Sequence, residues 1–148
     1  MFVEVVTSLE QMAQVGSAIA GQLEAGDIVL LKGELGAGKT TLTRSIAEHL
    51  GVQGVTSPTF VISKIYPAPI PLIHVDAYRL IGEPYASFDD LDLDSHRATS
   101  ITIIEWGSGF VERLSDEYLE LSITFGADEN SRILTFSCIG DRWNGFSL

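Results

Sequence analysis

"GELGAGKT", Gly33 to Thr40, satisfies the phosphate-loop pattern G-x-x-x-x-G-K-[ST], with Gly33, Gly38, Lys39 and Thr40 in the defining places. Its flanks are the ones the mechanics require. "DIVLLK" just before it is a near-continuous apolar run, suited to a strand covered on both faces. Just after it, Leu42, Ile46 and Leu50 mark one face of a helix, with Gly51 placed as the C′ residue. Glycines at 33, 36 and 38 let the backbone curl so that successive N–H groups point inward at phosphate oxygens. The helix N-terminus adds orphan donors and the positive end of a dipole. Lys39 can reach the outer phosphates, and the Thr40 hydroxyl can sit on Mg²⁺. The expected nucleotide-binding stretch is therefore Leu35, Gly36, Ala37, Gly38, Lys39, Thr40 and Thr41.

A phosphate loop needs an acid for its metal, and two are on offer. "LIHVD" and "ITIIE" are apolar strands that end in carboxylates, Asp76 and Glu105. Open α/β sheets bind ligands at the carboxyl ends of their strands. One acid can hold Mg²⁺ through its water shell while the other orients an attacking water. A strand-terminal acid also serves as a helix cap or a solvated turn residue, so the pair carries more weight than either alone. At strand period two, His74, Asp76 and Tyr78 share a face, with His74 deeper and expected as a hydrogen-bonded core histidine. Arg79 can meet phosphate or pair with a carboxylate. Trp106, next to Glu105, can stack on a base or fill the core. "TSPTF", Thr56 to Phe60, reads equally as a γ-phosphate-sensing loop and as a plain turn before a strand.

The remainder alternates in the same style. "FVEVV" is an opening strand. Ser8 is a helix N-cap with Gln11 at the capping-box position, and Met12, Val15, Ile19 and Leu23 recur at helical spacing until "EAGD". "TFVISKIY" and "LIHVDAY" are strands on either side of "PAPIP"; the acidic "DDLDLD" falls in a helix-rich connection. "YLELSITFG" and "SRILTFSCIG", around "ADEN", form an antiparallel hairpin. The expected fold is a P-loop NTPase-like three-layer α/β domain spanning residues 1–148, with a mostly parallel central sheet and a C-terminal antiparallel hairpin.

Composition narrows the function. The chain has 148 residues, 45% hydrophobic and 20% charged, as an ordinary single globular domain does. Cys138 is alone and cannot form an internal disulfide, so a cytoplasmic location and a buried strand position are expected for it. Glu4 interrupts the first apolar residues, and the longest apolar runs are far too short to span a bilayer. Nine basic residues against twenty acidic ones give a net charge of −11 with no Lys/Arg cluster. Strong direct tRNA or other nucleic-acid binding is not expected, because phosphate neutralisation supplies most such affinity. No "NK" occurs, so the guanine-reading N-K-x-D motif is missing and ATP is the expected nucleotide. Arginines are few and unclustered, which disfavours the lid of a small-metabolite kinase, the alternative enzyme class. A non-catalytic nucleotide sensor would leave both acids structural.

Taken in order, "GELGAGKTT", "SPTF", "HVDAYRL" and "IIEW" resemble the TsaE family (formerly YjeE) over nearly the whole chain. The resemblance implies a P-loop ATPase, slow alone, required for threonylcarbamoyladenosine modification of tRNA next to the anticodon. It implies a TsaB–TsaD complex as partner, with ATP and Mg²⁺ as cofactors. Carried over by motif, Lys39, Asp76 and Glu105 are catalytic, and Thr40 and Glu105 are metal-side residues. Trp106 lies beside the nucleotide, "SPTF" acts as a switch-like loop, and the segment from Leu9 to Gln11 covers the adenine. Many relatives read E-W-P where Gly107 follows Trp106 here, so a different loop stiffness is expected.

Overall fold

The computed structural model describes residues 1–58 and 62–148. The start of the expected "TFVISKIY" strand, and Thr59 and Phe60 of the expected switch-like loop, lie outside the described residues. The chain opens with β1 (Phe2–Val6) and α1 (Leu9–Ala20). Ser8 caps α1, its hydroxyl accepting the Gln11 N–H at 3.1 Å. The reciprocal half of the box is displaced by one residue. Gln11 Oε1 accepts from the N–H of Thr7 at 2.7 Å and from its hydroxyl at 3.0 Å. The helix also stops at Gly21, ahead of "EAGD", where glycine's poor helix propensity ends it. Leu23 is buried outside the helix.

Next come β2 (Ile28–Lys32), α2 (Lys39–His49), β3 (Ser63–Tyr66), β4 (Leu72–Asp76) and two short helices, α3 (Tyr85–Asp89) and α4 (Asp94–Arg97). "DDLDLD" spans the junction of those short helices. The chain closes with β5 (Ile101–Glu105), β6 (Tyr118–Phe125) and β7 (Arg132–Ile139). Among the described residues these strands form one sheet in the order β1-β7-β6-β2-β5-β4-β3. Its centre is parallel, running β6, β2, β5, β4, and antiparallel pairs finish both ends. The hairpin expected from β6 and β7 is present, and β6 also pairs in parallel with β2, joining the hairpin to the core.

Both sheet faces are covered, which explains why β2, β4 and β5 are largely apolar and buried along nearly their whole length. On one face, α1 and α2 pack Met12, Ile19, Leu42 and Ile46 against Val29, Leu31 and Ile103. On the other, Leu80, Phe88, Leu93 and Phe110 come from short helices and turns and cover Ile28, Leu30, Val75 and Ile104. Cys138 is half-buried rather than buried. β1 pairs with β7 only as far as Phe136, so Cys138 lies beyond its cover. No helix among the described residues is long and apolar enough to cross a membrane.

Candidate nucleotide site

The strand order assembles the site. β2, β5 and β4 are parallel neighbours, so the loop after Lys32, Glu105 and Asp76 emerge along one edge of the sheet. Register pairs Leu31 with Glu105, and Glu105 with Asp76. The loop then turns into α2 through Gly38, which adopts φ +117° and provides no side-chain cap. The first N–H groups of α2 are left for a ligand. Gly33 is sterically required: at φ +156°, a Cβ there would stand 2.7 Å from Ile123 O. The far side of the loop is braced from β7, where Arg132 Nε donates to Ala37 O at 3.0 Å. That brace left no signal in the sequence, because it links residues 95 apart that belong to no common motif.

Leu35, Gly36, Gly38, Lys39, Thr40, Thr41, Asp76, Glu105 and Trp106 all line one cleft of about 450 Å³. Ser57 and Tyr78 complete its wall. Ala37 is the exception among the expected nucleotide-binding residues. Its side chain is buried, its N–H donates to Glu34 O, and it borders a neighbouring cleft of about 530 Å³. Leu9 and Glu10, expected near the base, border that second cleft, whereas Gln11 is turned back to Thr7.

Inside the first cleft, Thr40 Oγ1 donates to Glu105 Oε1 at 3.4 Å, and His74 Nε2 approaches the same oxygen at 3.1 Å. Asp76 Oδ1 accepts the Tyr78 N–H at 3.0 Å. That bond turns the chain into a 3₁₀ segment, so Tyr78 leaves the strand face it was expected to share. Lys39 Nζ donates to Gly33 O at 2.6 Å and Glu34 O at 3.1 Å, and lies 4.4 Å from the centre of the Trp106 ring. Burial pushes the Lys39 ammonium below its ordinary pKa, against the opposing pull of Glu105 and Asp76. Trp106 has φ +58°, uncommon for a non-glycine residue, and meets Tyr78 edge-on at 5.2 Å. A hydroxyl and a carboxylate side by side, beside uncapped helix amides and an ammonium, form an oxygen-rich cradle. Such a donor set suits a hard divalent cation carried on a phosphate chain.

A family model described as threonylcarbamoyl adenosine biosynthesis protein TsaE matches residues 6–134. The Streptomyces coelicolor tRNA threonylcarbamoyladenosine biosynthesis protein TsaE is 48% identical over 139 residues, covering 89% of this chain and 93% of that protein. Its Bacillus subtilis counterpart is 36% identical over 137 residues, covering 90% of this chain and 84% of that one. The crystal structure of Bacillus subtilis YdiB superposes with a TM-score of 0.79 at 30% identity, over 97% of this chain and 88% of that chain. With the match running from the end of β1 into β7 and taking in the phosphate loop, Asp76 and Glu105, the chain belongs to the TsaE family.

Proposed function

We propose that this chain binds and hydrolyses Mg²⁺-ATP in the biosynthesis of tRNA threonylcarbamoyladenosine, next to the anticodon, acting on a TsaB–TsaD-like complex. The observation that carries the nucleotide reading is the Thr40–Glu105 contact at the foot of the phosphate loop, with Asp76 across the strand pair. In this reading the amides of residues 36 to 40 bind the phosphates and the Lys39 ammonium pairs with the outer ones. Thr40 and Glu105 hold Mg²⁺, and Asp76 orients the attacking water. Mg²⁺ supplies neutralisation of phosphate charge. Trp106 and Tyr78 line the same cleft.

The pathway reading is supported by the names of the relatives. A net charge of −11 fits a protein that leaves tRNA to its partners. The output is then a nucleotide-dependent change in partner binding. Reconstitution of the modification tests this directly. Tri-component mixtures with wild type are expected to modify tRNA, and mixtures with Lys39→Ala to fall to the level without this protein. Equal modification with and without it contradicts the proposal.

A further inference from the structure

His74 sits in the middle of β4, fully buried, two residues before Asp76 on the same strand face. Its Nε2 lies 3.1 Å from Glu105 Oε1, closer than the Thr40 hydroxyl at 3.4 Å. The other ring nitrogen, Nδ1, is buried with no hydrogen-bond partner among the described residues. Only one tautomer suits these surroundings. With the proton on Nε2, the ring donates to the carboxylate and leaves just a lone pair unmatched. With the proton on Nδ1, a buried donor lacks an acceptor and a lone pair faces a carboxylate oxygen. Packing alone does not account for this side chain, since an aliphatic residue would fill the position with no orphaned nitrogen.

We propose that His74 is a positioning residue for Glu105: its Nε2–H holds Oε1, so that Oε2 is the oxygen left to meet the water shell of Mg²⁺. The inference rests on the Mg²⁺-nucleotide reading above. Donation from a neighbour commonly fixes a metal-side carboxylate, and loss of such a partner typically costs 10–100-fold in metal affinity. His74 acts through Glu105 and touches no reacting atom.

Two substitutions separate the donor from the bulk. A glutamine amide can occupy the place of imidazole Nε2, whereas an asparagine amide reaches only that of Nδ1. ADP binding is measured by calorimetry across a Mg²⁺ series, with thermal melts to check folding. His74→Asn is expected to raise the half-saturating Mg²⁺ about tenfold or more, with His74→Gln within about twofold of wild type. Metal-free ADP affinity is expected to be the same in all three. Loss in both variants, or in neither, overturns the role. Should His74→Asn fail to fold, long-range ¹⁵N–¹H spectra of the wild-type histidines decide. A His74 proton on Nε2 whose signal moves when Mg²⁺ joins the ADP complex supports the role, and a proton on Nδ1 overturns it. Wild type whose ADP affinity ignores Mg²⁺ overturns the metal reading and this role together. Wild type that responds while His74→Asn does the same overturns this role alone.

Discussion

Asp76 and Glu105 stand opposite one another across the parallel β4–β5 pair, each the last residue of its strand. Only Glu105 is tied to Thr40; Asp76 is tied to the turn that follows it. On the proposed reading the two carboxylates therefore have separable duties. Asp76→Asn is expected to lower ATP hydrolysis about 10²-fold, the low end for a lost proton acceptor, with Mg²⁺-ATP affinity maintained. Glu105→Gln is expected to raise the Mg²⁺ requirement as well. Phosphate release and calorimetry on both variants check this, and identical losses of affinity would contradict the division.

Lys39 gives the protein an alkaline signature. Its pKa is lowered from 10.5, first by burial, so the unfolded chain holds this proton to higher pH than the folded one. Between the lowered value and 10.5 the unfolded state binds more protons, and stability contributed by this site rises with pH. On the proposed reading the same loss of the ammonium is expected to weaken phosphate binding. Urea melts across the alkaline range below pH 10.5 are expected to show a steeper rise for wild type than for Lys39→Met, while ATP affinity of wild type falls over that range.

Gly107 follows Trp106 at the point where the sequence suggests a different loop stiffness. Its carbonyl accepts from Phe110 N–H at 2.8 Å and Val111 N–H at 2.9 Å, and a Cβ on it would overlap Ile104 Cγ2 and come within 3.0 Å of Leu30 Cδ1. Space explains this glycine. Gly107→Ala is expected to cost about 1–3 kcal/mol through overpacking. It should also shift Trp106 fluorescence, since the displaced loop carries that ring. Unchanged melts and an unchanged spectrum would show that the loop yields freely.

Arg142 ties the C-terminal segment to the turn before β2. Its Nε and Nη2 donate to the two carboxylate oxygens of Asp27 at 2.9 and 2.6 Å, and Nη2 also to Gln22 O at 2.8 Å. Asp27 is buried while Arg142 keeps part of its surface in water. Arg142→Ala leaves that carboxylate only the Glu24 N–H at 2.7 Å and is expected to cost about 2–3 kcal/mol, below the value for a fully buried pair. Chemical denaturation measures it. ATP binding should not change, because the pair lies away from the residues that line the cleft at the phosphate loop.

Local signals carried most of the fold. The apolar runs before Gly33, Asp76 and Glu105 are β2, β4 and β5, and the helix after Lys39 begins and ends where its periodicity and Gly51 put it. Gly38, Lys39 and Thr40 of the phosphate loop and both strand-end acids share one cleft, because β2, β5 and β4 are parallel neighbours that end at one edge of the sheet. Long-range partners stayed hidden. Nothing near Arg132 hints that it braces Ala37, and nothing in "LIHVD" says that His74 bonds to Glu105 rather than to backbone. Competing donors moved the capping box to Thr7, and an aspartate turn took Tyr78 off its strand.

Calorimetric titration of the purified protein with Mg²⁺-ATP, beside Lys39→Ala, tests the phosphate cradle most directly. We expect one-to-one binding by wild type that is Mg²⁺-dependent and abolished in the variant. Wild type that takes up no Mg²⁺-ATP, or a Lys39→Ala variant that binds it equally well, would contradict the assignment of this loop.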